Sequence, residues 1–505
     1  MNGPASSDDG ETAGVLFPVA ADGRRSTSAL GRAVVADAMR RVDPAGALGA
    51  EQETNWRTGY LTHFRRLIEA GLAAKEAALS IAGEGLGSLH GRMRAVAAPG
   101  GPETELSALV TAPAQRAFGS AEVTGTRVAE SALSLPYHGQ LLRGAELARR
   151  LDSWVEAGVI EPTCAEAVRT VAAHPDWLSL TGQTVVVLGA GAEIGPLPVL
   201  LRWGVRVAGV DLPQPHLWER IAATVREGAG SLLVPVSQEP DGSGTDALDA
   251  MAAGRAGLDL ARDVPALADW IAGLDGPVTL GNYVYADGAA NVRVCAAADA
   301  LTRRLQAARD DLALAFLATP TDVFAVPAGA VAQSVHAYET RSRFGKLAGR
   351  PLRTVSGGRL LRRAYVPGAD PGINDSLVAQ QGPNYALAKR LQRWRASAAR
   401  AGGTTVSLNV APPTRTRSVI KNRALAAAYA GAHRFGAEVF EPETTRVLMA
   451  ALLVHDLHTG GGPAHAHPWQ DEAYAAAHGG LWRIAYAPRS ALGLAALLGY
   501  GAARA

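Results

Sequence analysis

The chain has 505 residues, which is too long for one ordinary domain and predicts two or three. Hydrophobic residues make up 48% of it and charged residues 19%, so there is enough apolar material for a sizeable core. The formal net charge of +2 argues against nucleic acid or an anionic membrane as a partner, and the two cysteines argue against a disulfide framework or a zinc ribbon.

The chain up to residue 180 predicts a disordered terminus followed by a helical domain. Residues 1–27 are rich in Ser, Asp and Gly, and residues 1–10 lack the basic start followed by an apolar run that a secretory signal has. We therefore expect a cytoplasmic protein with no membrane partner. Within residues 28–180, apolar side chains at Tyr60, Phe64 and Leu67 repeat with the period of a helix, which predicts a mostly helical N-terminal domain.

From Thr184 onward, short apolar runs rich in Val and Leu alternate with helical stretches. These runs cover residues 184–188, 205–210, 231–236, 256–260, 278–284, 312–318, 323–326 and 405–410. Strands that alternate with helices are typical of βαβ units and a parallel sheet. The pattern predicts an α/β domain over residues 181–457, and residues 458–505 read as a C-terminal extension packed on it.

A glycine-containing turn follows the first of these strands. Val185 to Val187 form a strand buried on both faces, and Gly189 can take a tight turn that lets the backbone approach a phosphate. The next strand ends in Asp211, whose carboxylate can accept both hydroxyls of an adenosine ribose. The segment therefore predicts dinucleotide binding and favours NAD over NADP, the alternative being a structural turn without a ligand.

A second motif, Asn384-Tyr-Ala-Leu-Ala-Lys389, puts a phenol and an ammonium on one face of a helix. A phenol has a pKa near 10, and a nearby ammonium lowers it. Such a pair is by itself often only a solvated helix face. Here it opens a helix that runs to Gly402 and is followed by a strand at 405–410, which favours a catalytic pair of Tyr385 and Lys389.

In this order, the motifs resemble those of the short-chain dehydrogenase/reductase family over residues 181–457. The family's Thr-Gly-x-x-x-Gly-x-Gly turn aligns with the segment from Leu188 to Gly195, with Leu188 in place of the Thr and Glu193 in place of the middle Gly. Tyr385 matches the family's catalytic tyrosine. The resemblance implies cofactor contacts at Gly189, Gly191, Ile194, Gly195, Asp211, Asp259, Leu260, Asn282, Pro412 and Thr414.

Two departures from the family precede the tyrosine. The segment from about residue 327 to residue 372 is an insertion relative to the family. We interpret it as a lid over the substrate or as an oligomer arm. The family's serine, which polarises the substrate carbonyl, has no counterpart at Gly372. Ser376 is the preferred catalytic candidate in its place, with Thr319 and Thr321 as alternatives at the end of the strand where that serine usually stands.

The resemblance implies an α/β fold in which a Rossmann-like, doubly wound parallel sheet follows the mostly helical N-terminal domain. It also implies an NAD(P)-dependent oxidoreductase that reduces a small-molecule carbonyl or oxidises a secondary alcohol, and that forms a homo-oligomer. Lys389 would lower the pKa of Tyr385 and hold the nicotinamide ribose. The alternatives are a redox-neutral epimerase or dehydratase, and a non-catalytic scaffold, which Leu188 and Glu193 favour.

A cluster of histidines lies near the C-terminus. Its members are His455, His458, His465 and His467, with Asp456 among them. Four imidazoles at this spacing are compatible with one metal ion, but the intervening glycines favour a solvated loop or a lid beside the substrate. No metal site is therefore predicted.

Overall fold

The computed structural model describes residues 13–20, 22–237, 246–341 and 351–501. Up to residue 180, the helices are α1 (Thr27–Met39), α2 (Pro44–Glu51), α3 (Trp56–Gly71), α4 (Lys75–Arg92), α5 (Gly144–Glu156) and α6 (Pro162–Ala173). The strands of this part are β1 (Gly14–Leu16), β2 (Arg94–Val96), β3 (Thr104–Glu105), β4 (Phe118–Thr124), β5 (Leu135–Tyr137) and β6 (Gln140–Leu142). The apolar stripe predicted from the sequence lies on α3, where Tyr60, Phe64 and Leu67 are buried.

Strands and helices alternate in the rest of the chain. The strands are β7 (Thr184–Leu188), β8 (Arg206–Val210), β9 (Ser231–Ser237), β10 (Val278–Asn282), β11 (Leu312–Ala318), β12 (Val323–Val326), β13 (Gly372–Asp375) and β14 (Val406–Val410). The helices are α7 (Leu197–Arg202), α8 (Pro215–Arg226), α9 (Ala247–Ala252), α10 (Val264–Ala272), α11 (Ala289–Ala308), α12 (Ala328–Glu339), α13 (Gly382–Ala401), α14 (Arg417–Lys421), α15 (Arg423–Gly431), α16 (Pro442–His458), α17 (Pro468–Ala473) and α18 (Pro488–Gly499).

A seven-stranded sheet with the order β14-β11-β10-β7-β8-β9-β4 forms the centre of the fold. Its first six strands are parallel, and β4 pairs antiparallel with β9 at one edge. After β7, the next two strands, β8 and β9, add to one side of it, and β10 then pairs with its other side. The direction of strand addition therefore reverses between β7 and β10, and a crevice opens there at the carboxyl ends of the strands.

Helices cover both faces of this sheet. Val186 and Leu188 of β7 belong to a core that α1, α3, α4, α10, α11 and α13 complete, whereas Val185 and Val187 belong to a second core with α5, α6, α7, α8 and α16. Successive side chains of a strand point to opposite faces, so β7 is buried on both sides. This explains the continuous apolar run of its sequence. The protein is thus an α/β fold around a mixed, mostly parallel sheet.

Three segments differ from the sequence-based expectations. No strand forms at 256–260, where only Ala256 makes a bridge to Val236 and the chain then crosses the tips of the strands as a loop. Gly257 adopts a φ of +90°, and a Cβ at this position would lie 2.5 Å from the carbonyl oxygen of Asp211. This left-handed backbone at Gly257 interrupts the extended conformation that a strand requires. The apolar run at 256–260 therefore forms a loop.

The second and third differences concern the N-terminal part. β4 joins the central sheet from within the segment predicted to be helical, and its half-exposed edge position leaves little apolar alternation to detect. β1 forms within the predicted disordered terminus and pairs with β2, whereas residues 1–12 lie outside the described part of the chain. Residues 342–350, which belong to the insertion predicted at about 327–372, also lie outside the described part of the chain. Among the described residues, no helix is long and apolar enough to cross a bilayer.

Candidate functional site

A cavity of about 1160 Å³ lies at the carboxyl ends of β7, β8, β10 and β11, where the strand order reverses. Many of the residues predicted from the sequence line it. They are Gly189, Gly191, Ile194, Gly195, Asp211, Asp259, Leu260, Tyr385, Lys389, Pro412 and Thr414. Two predicted residues, Asn282 and Ser376, do not line this cavity. The structure therefore gathers residues from distant parts of the chain around one space.

The glycine turn and Asp211 form one wall of the cavity. Gly189 has a φ of +82°, in the left-handed region that a residue with a Cβ rarely adopts. The backbone N–H of Gly191 donates to Asp211 Oδ2 over 2.8 Å, and that of Leu212 donates to Oδ1 over 2.8 Å. Burial raises the pKa of Asp211, while these two hydrogen bonds lower it in part. The carboxylate is thus held beside the turn.

The loop around Asp259 lies beside Asp211. The backbone N–H of Leu258 donates to the carbonyl oxygen of Asp211 over 2.9 Å, which ties the loop to the end of β8. Asp259 Oδ1 accepts a hydrogen bond of 3.0 Å from the backbone N–H of Ala261. Asp259 and Leu260 consequently line the cavity on the same side as Asp211.

Glu193, the carboxylate in the glycine turn, is paired across the cavity. Its Oε2 accepts from the backbone N–H of Arg417 at 2.9 Å, and its Oε1 lies 3.8 Å from Arg417 Nε. Arg417 is the first residue of α14, so the contact joins the glycine turn to a helix that lines the opposite side. The negative charge of Glu193 is therefore partly compensated by a cation.

The Tyr385 hydroxyl lies near two threonine hydroxyls. Burial raises the pKa of Tyr385 to about 12, and hydrogen bonds with Thr319 and Thr321 lower it in part. The two threonine hydroxyls also contact each other at 2.8 Å. The prediction that Lys389 lowers the pKa of Tyr385 is wrong, because burial raises this pKa above its ordinary value. The tyrosine is therefore protonated at neutral pH.

Lys389 interacts instead with a buried network beneath the cavity. Its Nζ donates to the carbonyl oxygen of Leu317 over 3.3 Å and to Gln392 Oε1 over 3.0 Å. Gln392 Nε2 in turn donates to Asn282 Oδ1 over 3.2 Å. Burial lowers the pKa of Lys389. Asn282 thus reaches the lysine through Gln392, a residue that sequence reasoning missed although its position, one helical turn after Lys389, places it on the same face.

The helix that carries the tyrosine and the lysine is fixed by buried ion pairs. Asp322 lies between Arg390 Nη2 and Arg393 Nη1, at 2.6 Å from each. Arg393 also pairs with Glu472 at 2.6 Å. All of these groups are largely withdrawn from water, where paired charges require good geometry. They set the rotation and position of α13 relative to the end of β11.

Ser376 uses its hydroxyl in a hydrogen bond that does not involve Tyr385. It is buried after β13 and donates to Asn374 Oδ1 over 2.5 Å. It lines a separate, smaller cavity, whereas Thr319 lines the large one beside Tyr385. The antiparallel pairing of β12 with β13 brings the backbone of Ser376 beside Asp322, to whose carbonyl oxygen its N–H donates over 3.2 Å, but its hydroxyl bonds to Asn374. Of the hydroxyls weighed from the sequence, the threonines are the ones in reach of the tyrosine.

Pro412 and Thr414 close the far side of the cavity. Thr414 Oγ1 donates to the carbonyl oxygen of Pro412 over 2.8 Å and contacts Thr445 Oγ1 at 2.8 Å. The threonine hydroxyl therefore stabilises the turn after β14 and joins it to α16.

The C-terminal histidines do not converge on one point. His458 stacks on Trp177 with a centroid distance of 4.5 Å, and His455 Nδ1 lies 3.1 Å from Asp456 Oδ1. His465 contacts Asp471, while His467 caps α17. Among the described residues, no group of three or more His, Cys, Asp or Glu has a geometry that could hold a metal ion.

No protein-family model matches this chain, and no curated protein matches it either.

Proposed function

We propose that the protein is an NAD(H)-dependent oxidoreductase that reduces a carbonyl group, and that its central domain is a Rossmann-like, doubly wound fold. In chain order, the six parallel strands have the spatial order 3-2-1-4-5-6 of that fold. The observation that carries the proposal is that the carboxylate of Asp211 and the phenol of Tyr385 line one cavity at the reversal of the strand order. Ribose recognition and a proton donor then belong to the same site.

The residues around the glycine turn fit a dinucleotide. A Cβ at Gly189 would lie 3.0 Å from the carbonyl oxygen of Tyr283, so a glycine lets the turn pack against that backbone, and Gly189 and Gly191 line the cavity where a pyrophosphate would lie. Among the described residues, the backbone N–H groups of Glu193 and Ile194 have no protein acceptor, and such donors suit phosphate oxygens. Asp211 would accept the ribose hydroxyls and would repel a 2′-phosphate, which favours NAD(H) over NADP(H).

The proton chemistry follows from the tyrosine and its neighbours. The bound cofactor supplies the hydride. Tyr385, whose pKa burial raises to about 12, is protonated at neutral pH, and its Oη can donate a proton to the oxygen of a carbonyl substrate. The hydroxyl of Thr319 donates a hydrogen bond to the same oxygen and polarises the carbonyl. Lys389, which Gln392 orients, would be the residue that holds the nicotinamide ribose.

The neutral form of Tyr385 is the one that carbonyl reduction uses. Reduction needs a neutral phenol that gives up a proton, whereas alcohol oxidation needs a phenolate that accepts one. Burial raises the pKa of Tyr385, so the neutral phenol is present at pH 7, as it is for an ordinary tyrosine.

Calorimetric titration with NADH and NADPH tests the proposal. We expect NADH to bind more tightly than NADPH, and Asp211→Ala to weaken NADH binding about tenfold or more because a pair of charge-assisted hydrogen bonds is lost. Asp310→Ala removes an exposed carboxylate far from the cavity and serves as the matched control. If neither nucleotide binds at millimolar concentration, the oxidoreductase proposal is wrong.

A further inference from the structure

A second, smaller cavity adjoins the large one. It has a volume of about 70 Å³ and lies between α15, α18 and the chain that follows β13. Pro413 and Tyr429 line both cavities, so the two spaces are neighbours that share these side chains. One water-sized sphere takes up about 10–15 Å³ of such a cavity volume. The smaller cavity therefore has room for about five groups of methylene size.

The walls of this small cavity are apolar, and polar side chains along it already have partners. These pairs are Thr321 with Thr319 at 2.8 Å, Ser376 with Asn374 at 2.5 Å, and Arg489 with Asp375 at 2.7 Å. A polar ligand group in this space would lose its hydrogen bonds to water without gaining protein partners in exchange. Apolar groups are therefore the ones that the small cavity stabilises.

Apolar surface continues from one cavity into the other. Val378, Val419 and Leu425 form a hydrophobic cluster of their own, against which Tyr429 and Leu492 pack. Val419 and Leu425 line the large cavity, whereas Val378 and Leu492 line the small one. The apolar lining of the large cavity is thus continuous with that of the small one.

The small cavity also begins close to the proposed reacting atoms. Thr321, which lines it, shares hydrogen bonds with Thr319 and with the hydroxyl of Tyr385. A carbonyl oxygen bound by Tyr385 and Thr319 would therefore lie one threonine away from the lining of the small cavity.

We propose that the small cavity binds an apolar substituent of the substrate, so that the substrate is a ketone, or the corresponding secondary alcohol, with an alkyl or aryl group of about five carbons. This inference rests on the proposed carbonyl reduction. The recognition is hydrophobic: each methylene buried in the cavity strengthens binding about fourfold, until the space is filled.

Ligand-observed NMR titration of 2-alkanones, from 2-butanone to 2-nonanone, tests this inference without needing turnover. In the wild-type protein we expect affinity to rise about fourfold per added methylene and to level off after about five carbons. Leu492→Trp fills the cavity and should weaken 2-heptanone binding at least tenfold while weakening 2-butanone binding much less, because the ethyl group of 2-butanone buries the fewest carbons there. Leu492→Ala should move the plateau to a longer chain.

Leu497→Trp is the matched control, because Leu497 lies on the same helix but is 71% exposed and lines neither cavity. The inference is overturned if the 2-alkanones do not bind, if affinity does not depend on chain length, or if Leu492→Trp and Leu497→Trp behave alike. NADH titration of the same samples separates the two proposals. NADH binding without a chain-length effect removes only the substrate assignment, whereas a chain-length effect without NADH binding removes only the oxidoreductase assignment.

Discussion

At the scale of single residues, the site depends on which hydroxyl assists Tyr385. The sequence favoured Ser376, whereas the structure brings Thr319 to the tyrosine. We expect Thr319→Val to lower kcat/KM for NADH-dependent ketone reduction about 100-fold, because a donor to the developing oxyanion is lost. Ser376→Ala should change kcat/KM less than threefold. Steady-state kinetics measure both, with NADH affinity as the control for an intact cofactor site; an equal loss in the two variants would contradict the assignment.

The same scale shows what local sequence can and cannot reveal. Tyr385 and Lys389 were found because their spacing on one helix is a local property, and Asp211 because it directly ends a strand. The contact of Thr319 with Tyr385 depends on how β11 meets α13, which no local pattern contains. Likewise the role of Gln392 depends on its hydrogen bond to Asn282, which lies 110 residues earlier in the chain.

At the scale of elements, the contact between Glu193 and Arg417 controls how α14 lies against the glycine turn. Arg417 is largely exposed, and such ion pairs contribute about 0.2–1 kcal/mol. Glu193→Gln keeps an acceptor for the backbone N–H but removes a negative charge beside the expected pyrophosphate. We therefore expect NADH to bind about two- to fivefold more tightly in Glu193→Gln, as measured by calorimetric titration.

Hydrogen exchange of the α14 amides gives a second readout of this contact. Glu193→Ala, which removes the acceptor as well, should speed exchange in α14 more than Glu193→Gln does. Weaker NADH binding in Glu193→Gln would mean that the carboxylate holds the cavity in its binding form instead of opposing the nucleotide.

Elements with strong periodicity could be predicted from the sequence, and elements defined by their neighbours could not. The buried strand β7 and the amphipathic helix α3 follow their patterns because each packs against a continuous core. The edge strand β4 has one partner and little apolar surface, so its sequence does not distinguish it from a loop. The loop at 256–260 has an apolar sequence because it is buried across the strand tips, without belonging to the sheet.

At the scale of the whole molecule, the two flanks of the α/β domain meet in a buried ion cluster. Glu161, which begins α6, accepts from His478 Nε2 at 2.9 Å and pairs with Arg483 at 2.5 Å. The backbone N–H of Glu161 also donates to the carbonyl oxygen of Ala476 over 2.9 Å. A segment before the glycine turn and a segment after α17 are thereby joined, although they are far apart in sequence.

The pKa values of this cluster set how the whole fold responds to acid. Burial by itself raises the pKa of Glu161, but the hydrogen bonds from His478 and Arg483 outweigh it and hold the pKa at about 2. A carboxyl group with a depressed pKa stabilises the fold above its unfolded pKa near 4.5, and this contribution is lost as the pH falls towards 2. Burial also lowers the pKa of His478, so the unfolded chain takes up that proton first, and stability already begins to fall below pH 6.5.

Glu161→Gln should therefore lower the free energy of unfolding by about 3 kcal/mol at pH 7, because Arg483 is left without its charged partner. The difference from the wild type should shrink as the pH falls from 5 to 3, since the wild-type carboxylate loses its advantage over the same range. Urea unfolding at a series of pH values measures both effects, and Glu156→Gln, at an exposed end of α5, is the matched control. A difference that stays constant down to pH 3 would show that packing around Glu161, and not its charge, joins the two flanks.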